Sequence, residues 1–161
     1  FTPFLDSLAE KSIVFHGFAN GKRSIEGIPA VLASLPTWMT EDFITSQYAS
    51  DKFNSLASLL KTEGYNTSFF HGGKNGTMGF DAFCRSAGFD AYYGKNEYPN
   101  QADFDGHWGI WDEPYLQYIA QTLNKFPKPF MSAVFTLSSH HPYKVPEKYK
   151  NKFRKVKSDT V

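Results

Sequence analysis

The chain has 161 residues, 41% of them hydrophobic and 20% charged, with a formal net charge of +1. That length and apolar content suit a folded domain with its own core and exclude a disordered chain. Basic and acidic residues nearly balance, and the lysine-rich stretch Lys144 to Lys157 is interrupted, so no nucleic-acid partner is expected.

Cys84 is the single cysteine, which excludes an internal disulfide and a cysteine-based metal cluster. The apolar run Met131 to Leu137 is too short to span a bilayer. Phe1 is not a Met and Val161 falls within a pattern, so the chain is expected to be part of a larger protein. Aromatic residues reach 17%, with 16 Phe and 9 Tyr. Rings in that number suit packing between layers, with some left to contact sugars or other flat groups.

Taken in chain order, Thr2-Pro3 followed by Phe4, Leu5, Leu8 and Ala9 predicts a short helix with Pro in its first turn. Ile13-Val14-Phe15 predicts a strand, and Asn20-Gly21 a turn. Ile28 to Leu35 reads as a helix, with Pro29 near its start and Pro36 closing it. Phe53 to Thr62 reads as another, with Phe53, Leu56, Leu59 and Leu60 on its inner face and Gly64 as its stop. Asn66 to Phe70 predicts a strand ending in His71-Gly72-Gly73. A short helix follows over Phe80 to Ser86, then a short strand over Asp90 to Tyr93. Asp112 to Leu123 predicts a helix with Asp112 as N-cap and Leu116, Ile119, Ala120 and Leu123 facing inward. Pro129 to Leu137 is a nearly continuous apolar run, the pattern of a strand buried on both faces.

Alternating helices and strands predict an α/β fold, a layered α/β/α sandwich around a largely parallel sheet. In such sheets chemistry gathers in the loops beyond the strands' carboxyl ends. Three loops qualify. In Asn20-Gly21-Lys22-Arg23-Ser24-Ile25-Glu26-Gly27 a hydroxyl stands beside two cations at a helix start, where unpaired amides favour an anion. Composition alone favours a plainer reading, with Ser24 as a cap and Lys22 and Arg23 solvated. His71, flanked by glycines, is placed to donate to a substrate oxygen, or is a surface turn residue. His140 and His141 are adjacent in an extended segment, so either one faces a site while the other packs or is solvated, or both are ordinary loop histidines.

Five segments in order resemble a known family. Thr2-Pro3-Phe4-Leu5-Asp6-Ser7-Leu8-Ala9 with Ile13-Val14-Phe15 is similar to the sulfatase opening. Residues 20–30 with Leu32 to Pro36 resemble the nucleophile segment of lipoteichoic acid synthases and phosphoglycerol transferases. Phe70-His71-Gly72, Trp108-Gly109-Ile110-Trp111-Asp112-Glu113 and Thr136-Leu137-Ser138-Ser139-His140-His141-Pro142-Tyr143 resemble later motifs of the same group. The resemblance implies that residues 1–161 are the central part of one sulfatase-like catalytic domain of the alkaline phosphatase superfamily, its sandwich incomplete at both ends. It implies Ser24 as nucleophile and as ligand of a divalent metal (Mn²⁺, Mg²⁺ or Zn²⁺), with the other ligands outside the chain. It implies His71, His140 and Arg23 as substrate contacts.

The reaction implied is transfer of a phosphoglycerol-like group from a lipid or envelope polymer through a covalent seryl intermediate, by a membrane-anchored protein whose catalytic domain is extracytoplasmic. A sulfuric ester or phosphodiester hydrolase on the same scaffold is the alternative, and a silent polymer- or sugar-binding domain a third. Ser24 is followed by Ile25-Glu26-Gly27 rather than x-Pro-x-Arg, which argues against a formylglycine sulfatase. Met78-Gly79-Phe80 stands where teichoic-acid enzymes carry Trp and Arg, which argues against lipoteichoic acid itself as product.

Overall fold

A computed structural model describes residues 3–19 and 21–152. Phe1, Thr2, Asn20, Lys157 and Val161, which enter the sequence reading above, lie outside them. The helices are α1 (Pro3–Ala9), α2 (Ser24–Ala33), α3 (Leu56–Thr62), α4 (Phe80–Ser86) and α5 (Asp112–Leu123). The strands are β1 (Asn66–His71), β2 (Ala91–Tyr93) and β3 (Phe130–Phe135).

The strands form one parallel sheet in the order β2-β1-β3. Side chains alternate across a strand, so neighbours in β1 serve different layers. Phe69 packs with α2, α3 and α4 residues, among them Ile25, Ile28, Ala57, Phe83 and Cys84. Phe70 packs on the other face with Tyr98, Ile110, Tyr115 and Ile119, largely from α5 and the loop before it. Both rings are essentially fully buried, each worth roughly 1.5–3 kcal/mol of hydrophobic stabilisation. The two clusters make the expected α/β/α layering. The chain is α/β, with helices on both faces of a parallel sheet.

Registers place like with like. Phe69 aligns with Tyr92 and its ring stacks on it, and Phe70 stacks on Tyr93 at 4.6 Å between centroids. Ser55 opens α3: its hydroxyl accepts from the Ser58 amide at 3.0 Å and donates to the Ala87 carbonyl, tying this helix to the end of α4. Gly64 (φ +79) then stops α3 in the left-handed region.

Several expectations are corrected. Residues 13–19 form no strand; Ile13, Val14 and Phe15 are exposed and pair with nothing described. Their β-branched and aromatic composition favours a strand, but a ladder needs a partner, and this segment joins neither outer edge of the sheet. Ser24 therefore follows irregular chain rather than a strand end.

The doubly buried strand is β1, whose last five residues are all buried. β3 flanks it and leaves Val134 exposed. α2 starts at Ser24 and ends at Ala33, enclosing Pro29. Leu56 and Leu59 of α3 are exposed while Ala57 is buried. In α5 the inward residues are Tyr115 and Ile119; Leu116 and Ala120 face outward. Tyr115 reaches the Tyr93 carbonyl through its hydroxyl, so an aromatic that alternation rules pass over sets the helix's rotation.

Candidate active site

Parallel strands deliver their carboxyl ends to one rim. The loops after β1 and β3, carrying His71 and His140, thus leave the sheet on the same side. α2 brings Ser24 to the same place. Ser24, His71 and His140 line one cavity of about 290 Å³, with Lys22 and Arg23 beside the serine. Thr77, Met78, Phe80, Trp108 and Phe135 contribute further wall.

Ser24 is the first residue of α2 and Arg23 its N-cap, so the serine is not the cap. Its side chain is exposed and makes no hydrogen bond among the described residues. Glu26 does the capping. Its carboxylate accepts from the Lys22 amide at 2.8 Å and the Arg23 amide at 2.7 Å. Those bonds hold its pKa below the usual carboxylate value, the Arg23 amide foremost. A Cβ on Gly21 would lie 2.7 Å from Glu26, so glycine is required for this wrap. The two cations then part company. Arg23 Nη2 donates to Asp42 Oδ1 at 2.6 Å. Lys22 has no ion-pair partner among the described residues.

His71 is 1% exposed, the last residue of β1. Its ring stacks on Phe135 (5.0 Å, 14°) and meets Phe80 edge-on (5.1 Å, 87°). Burial among these rings holds its pKa down at about 4, so it is neutral at physiological pH. Nδ1 lies 3.0 Å from the Tyr92 hydroxyl, that hydroxyl's single partner among the described residues. Burial pushes the Tyr92 pKa up, so its proton stays on. The hydroxyl donates to Nδ1, which leaves the proton of the neutral ring on Nε2. Gly73 closes over the ring: a Cβ there would come within 2.5 Å of His71 Cε1. His71 is thereby a fixed, uncharged hydrogen-bond donor at the cavity wall.

His140 lies in an exposed loop at the other side of the cavity, with the Trp108 ring 4.1 Å away between centroids. Trp108 belongs to a tight loop that Asp105 organises, accepting from the amides of His107, Trp108 and Gly109 at 2.7, 2.8 and 3.1 Å. Sequence reading singled out the Trp108 motif but gave it no place in the site. Its contact with His140 joins positions far apart in the chain, and only the registered strand ends bring them together. Thr77 and Phe135 were likewise not expected to line the cavity, whereas Met78 does stand where the resemblance put substrate residues of the teichoic-acid enzymes.

Among the described residues no group of three His, Cys, Asp or Glu is placed to hold a metal ion. Among the described residues the cavity wall offers two hydroxyls, of Ser24 and Thr77, and two imidazoles beside two cations, and no carboxylate. Hard divalent cations need several oxygen ligands, so these residues do not by themselves fit one.

The sulfatase family model matches residues 1–160. The chain belongs to the sulfatase family. Its relatives place it in the lipoteichoic acid synthase and phosphoglycerol transferase branch of the alkaline phosphatase superfamily. The chain is 26% identical over 151 residues to the lipoteichoic acid synthase-like protein YvgJ of Bacillus subtilis, covering 91% of this chain and 24% of that protein. It is 26% identical over 153 residues to phosphoglycerol transferase I of Xanthomonas euvesicatoria, covering 87% of this chain and 22% of that one. A crystal structure of an alkaline phosphatase superfamily protein from Vibrio parahaemolyticus superposes with a TM-score of 0.74 at 34% identity, covering 88% of this chain and 34% of the other. This sulfatase-family chain spans about a quarter of the length of the curated relatives it matches.

Proposed function

We propose that residues 1–161 are the central part of a catalytic domain that, in the whole protein, transfers a phosphoglycerol-like group between cell-envelope substrates. One observation carries this reading: an exposed serine hydroxyl at the start of α2, with no hydrogen bond among the described residues, shares a cavity with two imidazoles from distant loops. The names of the relatives, lipoteichoic acid synthase-like protein and phosphoglycerol transferase, support the substrate class.

In this reading Ser24 Oγ gives up its proton and attacks the phosphorus of a phosphodiester, and the bond to the leaving alcohol breaks as that alcohol takes up a proton. An acceptor hydroxyl then attacks the seryl phosphoryl group, loses its proton, and Oγ leaves to regenerate serine. The amides at the start of α2 and the Lys22 ammonium stabilise charge on the non-bridging oxygens. Arg23 adds its field from its station on Asp42. His71 donates from Nε2 to a phosphoryl oxygen, and His140 contacts the alcohol portion. A divalent cation belongs to this reading of the whole protein, with Ser24 as one ligand and the remaining ligands elsewhere. Membrane anchoring, with the domain outside the cytoplasm, belongs to it as well.

The test is Ser24→Ala in the full-length protein, assayed with glycerophospholipid donors and, in parallel, sulfate esters. The expected outcome is an unchanged fold, no turnover, and loss of a mass-detectable phosphoglycerol adduct that the wild type forms on Ser24. Undiminished transfer in the variant removes the serine from the mechanism. Turnover of sulfate esters alone replaces transferase with sulfuric ester hydrolase.

A further inference from the structure

His140 stands on a loop, yet its ring is held from two directions. Its Nδ1 lies 2.9 Å from the His141 carbonyl oxygen. A carbonyl oxygen only accepts, so Nδ1 carries a proton. Trp108 Nε1 donates to that same oxygen at 2.7 Å, and the indole packs on the imidazole at 4.1 Å between centroids. One acceptor thus fixes the indole and the imidazole together. Nε2, the other ring nitrogen, has no hydrogen-bond partner among the described residues, and His140 lines the cavity.

The loop itself is latched four residues further along the same motif. Asp112 Oδ1 accepts from the Leu137 amide at 2.8 Å, and Oδ2 from the Ser138 amide at 2.9 Å. Ser138 Oγ in return accepts from the Asp112 amide at 2.8 Å. These are the first two residues of the run that turns toward His140, whose own amide donates to Leu137 O. Asp112 was expected to cap its own helix. Its carboxylate instead serves the loop after β3, where two amides would otherwise go unpaired at a strand end.

We propose that Trp108 and Asp112 are positioning residues that hold His140 as its Nδ1–H tautomer, with Nε2 presented to the cavity as a hydrogen-bond acceptor. The assignment rests on the reading of His140 as a substrate contact. It gives the two site histidines opposite polarity. His71, set by Tyr92, donates from Nε2; His140, set by a carbonyl, accepts there while the ring is neutral. A site built this way distinguishes a phosphoryl oxygen from a hydroxyl without moving either ring. Partners that orient metal-bound imidazoles are typically worth about 10- to 100-fold in activity, and a loss of that order is expected here.

The experiment is long-range ¹H–¹⁵N spectroscopy of histidine-labelled protein above pH 7, with His140→Gln assigning the signal. Wild type is expected to show His140 protonated on Nδ1. Asp112→Ala and Trp108→Ala are expected to convert it to a tautomer mixture while the His71 signals, an internal check on the fold, stay in place. Trp108→Phe keeps the ring face but loses the Nε1–H bond to the His141 carbonyl, and Asp112→Asn keeps the size but loses one amide bond; both are expected to fall between wild type and the alanine variants. In full-length protein the two alanine variants are expected to lower kcat about 10- to 100-fold with KM changed less than about twofold.

A wild-type His140 protonated on Nε2 overturns the proposal. So does an unaltered His140 spectrum in Asp112→Asn and in whichever alanine variant keeps the His71 signals. An inactive full-length wild type with the expected spectrum would remove the transferase reading and leave the tautomer assignment standing.

Discussion

Lowering the pH from 7 to 4.5 should destabilise the chain through one residue more than any other, His71. In the unfolded chain its imidazole has the ordinary value of 6.5; in the folded chain burial depresses it to about 4. Below 6.5 the unfolded state therefore binds more protons than the native state, and stability falls with pH until about 4 is reached. At pH 4.5 the unfolded imidazole is almost fully protonated and the folded one only about a quarter. The difference amounts to roughly 2–3 kcal/mol, at 1.36 kcal/mol per unit of pKa. The measurement is urea unfolding at both pH values for wild type and His71→Gln, which does not titrate. Carboxylates such as Asp90 and Glu113 titrate in both proteins, so their contributions cancel in the comparison. Wild type is expected to lose about 2–3 kcal/mol more than the variant between the two pH values. Equal losses would refute the claim that this ring is buried neutral, and with it the fixed hydrogen-bond donor at the cavity wall.

Two further outcomes follow from the packing. Ser55→Ala removes the acceptor for the Ser58 amide and the donor to the Ala87 carbonyl, and is expected to cost about 1–2 kcal/mol in denaturant unfolding without changing the m-value. Cys84 is buried and its pKa is raised, chiefly by burial and further by Asp81. Its thiol is expected to resist an aromatic disulfide reagent at pH 8 in the folded chain and to react at once in denaturant, and rapid labelling of the native chain would contradict its placement.

The layered α/β plan was legible in the sequence because it rests on local pattern. Consecutive residues of a strand serve opposite faces, and Phe69 and Phe70, in the segment read as a strand, do so. The strand-end glycines after His71 and the cation-flanked serine before Ile25 marked places where a backbone turns tightly beside reactive groups. What remained illegible depends on pairing across the chain. Ile13-Val14-Phe15 has the composition of a strand, yet pairing decides whether a strand exists. Arg23 reads as a free cation until Asp42, 19 residues on, claims it. Asp112 reads as a cap because capping is a local habit, whereas its carboxylate is used 25 and 26 residues away. The burial of His71 follows from Phe80, Phe135 and Tyr92 closing round it, and no residue beside it in sequence announces that.

The seam between Gly72 and Gly109 bears on how such a cavity can change. Main chain meets main chain there. A Cβ on Gly109 would sit 2.5 Å from the Gly72 oxygen, and the Ile110 amide already donates to that oxygen at 2.9 Å. With no side chain between them, the two segments have nothing to trim or enlarge. Divergence in substrate choice is left to wall residues whose backbones are not so confined. Met78, 44% exposed at the cavity edge, is open to exchange by residues that accept its φ of +52. An asparagine or glycine would tolerate that backbone at least as well, so the rim can be rewritten while the seam stays as it is.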